Sequence, residues 1–183
     1  MVSQVRPVIT TEEFNRRIRN PENSDRNFEL IAGEMVEKMV SNPRSSAVAA
    51  YMLGKLSVFV DEHELGHVTG ADGGYVVSGG QYIPDAAFIS KARCPVLPED
   101  AYNPLPPDLA IEVLSPGNKE EDMRIKLSNY LAAESVVVIV DPGKRVEVHW
   151  PGTGVQVLGA GDTLEFGDLL PGFSMAVSDI LSK

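Results

Sequence analysis

The 183-residue chain predicts an α/β fold with a central mixed β-sheet flanked by helices. Three observations predict it. The runs "DLAIEVL" (108–114) and "SVVVIVD" (135–141) are short, apolar and rich in β-branched residues, the pattern of strands buried on both faces. Between them, "KEEDMRIKLSNYLAA" sets Met123, Leu127 and Leu131 in one stripe, which makes it an amphipathic helix. Strand, helix, strand in that order predicts a parallel crossover.

The remaining elements follow in order. "TTEEFNRRIRN" (10–20) has a threonine cap, acids in its first turn and bases in its last, so it reads as a short helix. "NFELIAGEMVEKMV" (27–40) reads as two strands joined around Ala32-Gly33. From Ala47 to about His63, the spacing of Val48, Met52, Leu56, Phe59 and Val60 predicts a helix with one apolar face. "GYVVSGGQYIPDAAFIS" (74–90) reads as a second hairpin turning at Gly79-Gly80, and "LPEDAYNPLPPD" (97–108) as a loop. "RVEVHW", "VQVLGAGDTLEF" and "FSMAVSDIL" predict strands, turns and a final helical turn.

Length suits one domain over 1–183, with 1–26 as an N-terminal extension carrying the first short helix. The single cysteine, Cys94, has no partner for an internal disulfide, and "MVSQVRPVIT" has no apolar signal core. No apolar run approaches membrane-spanning length, so the expected location is the cytoplasm. A formal net charge of -10 opposes non-specific attraction to nucleic acid. It leaves room for a site where metal ions offset the carboxylates.

The most legible string is "HELGH" (63–67). His-Glu-x-x-His is the pattern in which two histidines on one helix bind zinc and the glutamate acts as base. Here Gly66 falls where the apolar helical pattern stops, in the manner of a helix C-terminal cap. The third ligand of the longer motif would fall on Gly73, which has no side chain; Asp72 and His149 have no defined claim to the place. The stretch therefore reads first as a helix end, with His63 on the apolar stripe. A zinc hydrolase using His63, Glu64 and His67 is the alternative.

The carboxylates point elsewhere. Glu112 is the one charged residue among Leu109 to Leu114, and a buried, unpaired carboxylate costs on the order of several kcal/mol. It needs a metal, a lysine or a proton. In "IPDAAFIS", Asp85 likewise leads into an apolar strand, so the two acids can lie side by side in the sheet. Lys126 falls at the edge of the buried stripe of the crossover helix and can reach back to them. Two acids and a lysine are the apparatus of metal-assisted phosphodiester hydrolysis.

The order "IPDAAFI", "PPDLAIEVLSPGN", "KLSNY", "VVVIVDP" resembles the Uma-two family of bacterial endonucleases, within the restriction-endonuclease-like PD-(D/E)xK superfamily. The likeness runs from "FELIAGEMVEKM" to "LLPGFSMAVSDIL". It implies a restriction-endonuclease-like domain that hydrolyses DNA with Mg²⁺ or Mn²⁺. Asp85 and Glu112 match the metal-binding acids, the Val113 carbonyl a further ligand, and Lys126 the catalytic lysine displaced to the helix, since Leu114 holds the usual lysine place. Glu29 matches an additional acid near the metal, counted with the catalytic residues, and Tyr130 a packing or orienting residue. Two departures stand out: Ser45 where the family has a histidine at the start of the long helix, and "AAESVVV" before the next strand. With the acidic charge, Ser45 favours a second reading, a non-catalytic nuclease-fold module for binding or assembly, with a homodimer as one form.

Overall fold

A computed structural model describes residues 8–183; residues 1–7, and with them most of the stretch read for a signal core, lie outside it. Helix α1 (Thr11–Ile18) precedes β1 (Phe28–Ile31) and β2 (Glu34–Glu37). The long helix α2 (Pro43–Glu62) leads into β3 (Gly66–Gly70), β4 (Gly74–Val77), β5 (Gly80–Tyr82) and β6 (Ala86–Ser90). After β7 (Tyr102–Asn103) come β8 (Leu109–Val113), α3 (Glu120–Ala132) and β9 (Val136–Asp141). Strands β10 (Arg145–Trp150), β11 (Gly154–Leu158), β12 (Thr163–Glu165) and β13 (Ser174–Ala176) are followed by the short α4 (Val177–Leu181).

A six-stranded mixed sheet, ordered β11-β10-β9-β8-β6-β3, lies at the centre. Its parallel pair is β8 with β9, joined by α3 as the crossover pattern predicts. Strand alternation splits β8 between two cores. Leu109, Ile111 and Val113 pack with Val48, Met52, Leu56 and Val60 of α2. Ala110 faces the other way, into a cluster with Tyr130 of α3 and with Ile31, Tyr75, Val77 and Tyr82.

Those last four residues introduce a second sheet, ordered β2-β1-β5-β4-β7, which sequence patterning does not separate from the first. Residues 74–90 are not one hairpin. Its turn lies at Ser78-Gly79, both with positive φ (45° and 85°), rather than at Gly79-Gly80. Pro84, which has no N–H for a ladder, falls between β5 and β6, and β6 joins the central sheet. The first hairpin turns at Ala32-Gly33 as expected, with φ of 49° and 78°. Helix α1 docks on this second sheet through Phe14, which is fully buried beside Phe28, Leu30, Ile83 and Tyr102.

Helix α2 starts four residues before the apolar periodicity begins. Asn42 caps it, accepting a hydrogen bond from the Ser45 N–H at 2.9 Å, with Pro43 in the first turn. At its other end the zinc reading fails. The helix stops at Glu62, His63 is the cap residue, Glu64 turns the chain with φ 51°, and His67 lies in β3 opposite Ile89. The two histidines therefore share no helical turn. Exposed rather than on the apolar stripe, His63 stacks on Phe59 at 4.2 Å and places Nδ1 2.9 Å from the Phe59 carbonyl. Gly66 is not a helix cap but the first residue of β3, where a Cβ would come within 2.2 Å of the Ile89 carbonyl oxygen. The glycine inside the motif is required by strand pairing.

Candidate active site

Glu112 lies on the same side of β8 as Ala110, and so faces α3 rather than α2. It is 4% exposed, and its Oε1 is 2.7 Å from the Lys126 ammonium. The Tyr130 hydroxyl donates to the same oxygen at 3.3 Å. Lys126, 5% exposed, also donates to Oε1 of Glu29 at 2.8 Å, and that oxygen accepts the Ile83 N–H at 2.8 Å. Glu29 comes from β1, so the lysine ties the second sheet to the central one.

The buried line of α3 is therefore Lys126 and Tyr130, four residues apart, while Met123, Leu127 and Leu131 are only partly buried. This corrects the expected stripe. Hydropathy puts lysine at the edge; two buried carboxylates draw it to the centre, because each needs the ammonium more than the helix needs an apolar seam.

Asp85 precedes β6. The antiparallel register pairs Ala86 with Ile111, and one further step sets Asp85 opposite Glu112. Its N–H donates to the Ile111 carbonyl at 3.0 Å, and its Oδ2 accepts the Val113 N–H at 2.8 Å. Oδ1 is 3.0 Å from the ammonium of Lys38, just beyond β2, which also donates to the Ile83 carbonyl at 2.7 Å. Asp85, Glu112, Val113, Glu29, Lys126 and Lys38 all line one cleft of about 410 Å³.

Electrostatics inside the cleft set the acids against burial. Burial, with repulsion from Asp85 and Glu29, pushes the Glu112 carboxyl up to about 7, against the pull of Lys126. Burial alone would lower Lys126, but Glu112 and Glu29 outweigh it and raise the ammonium above its ordinary value. It therefore stays charged at any physiological pH. Burial and the same two carboxylates hold the Tyr130 phenol well above its usual range, so it remains a donor.

A family model described as "Putative restriction endonuclease", Uma2, matches residues 11–178. The chain belongs to the Uma2 family. The fold agrees: a crystal structure described as "a putative nuclease belonging to DUF820" from Anabaena variabilis superposes with a TM-score of 0.82. It is 18% identical, and the match covers 95% of this chain and 98% of that one. No curated protein matches the chain. Uma2 membership supports nuclease activity in general terms, and the solved structure, at 18% identity, supports the fold.

All four side chains singled out in the sequence, Glu29, Asp85, Glu112 and Lys126, meet in the one cleft. Lys38 was missed, because a lone lysine in "EMVEKMV" looks like any solvated strand charge. Ser45 is buried, and its hydroxyl donates to the Leu114 carbonyl at 2.8 Å. The serine thus fastens the end of β8 immediately beyond Val113. Among the described residues, no helix is long and apolar enough to cross a membrane.

Proposed function

We propose that this Uma2 protein is a Mg²⁺- or Mn²⁺-dependent DNA endonuclease, with residues 1–183 as one restriction-endonuclease-like domain. The observation that carries the reading is the pair of acids, Asp85 and Glu112, set opposite each other at the head of two central strands and open to a cleft. Among the described residues no three His, Cys, Asp or Glu side chains are grouped to hold a metal. Mg²⁺ does not require such a cage: it keeps several waters and takes one or two carboxylates, with oxygen donors throughout. Two carboxylates and the Val113 carbonyl fit that chemistry. When bound, the ion supplies Lewis acidity toward the phosphodiester and the attacking water.

The chain's own groups have separable tasks. Asp85 is oriented by the Val113 N–H, and Glu112 by the Tyr130 hydroxyl and Lys126. An ammonium has three donors; Glu29 and Glu112 engage two in Lys126, which positions Glu112 at the cleft. Glu29 holds the lysine upright as a positioning residue. Supercoiled plasmid incubated with Mg²⁺ or Mn²⁺ is expected to be nicked, EDTA to stop the reaction, and Asp85→Asn to abolish it. If the wild type cleaves neither duplex nor single-stranded DNA with either metal, the non-catalytic binding or assembly module becomes the better account.

A further inference from the structure

Lys38 has no part in the chemistry set out above, yet its ammonium sits on a proposed metal ligand. It is 3.0 Å from Asp85 Oδ1 and 2.7 Å from the Ile83 carbonyl, so two oxygens already coordinate a cation there. The other oxygen of Asp85 accepts the Val113 N–H and keeps a single lone pair, so a metal that takes Oδ1 competes with Lys38 for it. The two lysines of the site differ in freedom. Lys126 is closed in by two carboxylates at 6% side-chain exposure, whereas the Lys38 and Asp85 side chains are 22% and 19% exposed. A flexible four-carbon stem at the cleft wall can swing to water at little cost.

We infer that Lys38 is a resident counter-cation of the site: it neutralises Asp85 in the metal-free protein and must release Oδ1 before a divalent ion binds. The inference rests on the metal site proposed above. In the metal-free state the ammonium offsets the repulsion between two adjacent acids and keeps Asp85 in its binding rotamer. On metal entry, one monovalent charge gives way to a divalent one. The apparent affinity of the native chain is lowered by the free energy of breaking the Lys38–Asp85 pair.

Calorimetric titration of the full chain with Mn²⁺ tests this, using the wild type, Lys38→Met, Lys38→Gln, Lys119→Met and Asp85→Asn at one pH and salt concentration. Lys119 lines the same cleft and is exposed, so it controls for the general field of a cleft lysine. Both Lys38 variants are expected to bind Mn²⁺ about ten-fold more tightly than wild type, the scale of a 1.4 kcal/mol competitor. Lys119→Met is expected to change affinity much less. Equal or weaker binding in the Lys38 variants overturns the inference and leaves the metal site standing, as does an equal gain in Lys119→Met. Absence of binding in the wild type and both Lys38 variants, or unimpaired binding in Asp85→Asn, overturns the metal site itself and the inference with it.

Discussion

Lys126→Met is expected to destabilise the protein by roughly 3–5 kcal/mol at pH 8, the cost of leaving buried charges without their partner. Glu29 and Glu112, 7% and 4% exposed, both lean on that one ammonium at 2.8 and 2.7 Å. Without it, among the described residues, two buried carboxylates remain with only the Ile83 N–H and the Tyr130 hydroxyl to serve them. For a chain of this size the loss corresponds to a fall in Tm of roughly 6–20 °C. The deficit shrinks in acid, because burial raises the Glu112 carboxyl and the variant lacks the ammonium that pulls it down. A group raised in the folded state stabilises below its unfolded pKa and loses that contribution as pH rises through the folded value. Urea denaturation at pH 5 and pH 8 reads both effects; a variant within 1 kcal/mol of wild type at pH 8 contradicts the arrangement.

Glu112→Gln carries the largest expected effect on activity. Removing one of the two acids proposed to bind the metal is expected to lower plasmid cleavage by roughly two to four orders of magnitude, the scale of several kcal/mol of charge stabilisation. The same substitution is expected to leave the metal-free protein as stable as wild type or more so. Lys126 keeps Glu29, so no charge is orphaned. Glu112 itself is raised from the ordinary 4.5 to about 7, mainly by burial. Its stabilising contribution is complete below pH 4.5 and is lost as pH climbs through 7, at about 1.4 kcal/mol per unit of displacement. Chemical denaturation between pH 4.5 and 8 should therefore fall more steeply for the wild type than for the variant. A variant that retains full cleavage, or one that is markedly less stable at pH 8, contradicts a catalytic role for Glu112. A residue that costs stability for the sake of a site is what separates a working centre from a structural ion pair.

Much of the site was legible because burial makes demands that sequence reveals. A glutamate inside "LAIEVL" must have a partner, and the crossover connection places the next helix over that strand; Lys126 follows from those two facts. The adjacency of Asp85 and Glu112 follows from one strand register. Glu29 came through the family resemblance, since an acid in a short hairpin strand carries no signal of its own. Lys38 and the second sheet were illegible for a related reason. Which sheet a short strand joins depends on long-range pairing, which hydrophobic periodicity does not encode. Pro84 was the available clue to that break. "HELGH" errs in the opposite direction: a strong pattern whose physical condition, one continuous helix, is broken at His63 by the turn into β3.

The central claim is that Asp85, Glu112 and the Val113 carbonyl share one divalent ion. Crystals grown with Mn²⁺ and measured at its absorption edge test it directly. An anomalous peak within bonding distance of all three oxygens, with the Lys38 ammonium turned away from Asp85, is the predicted result. Full Mn²⁺ in the mother liquor with no peak at those oxygens, or a peak only elsewhere on the surface, would contradict it.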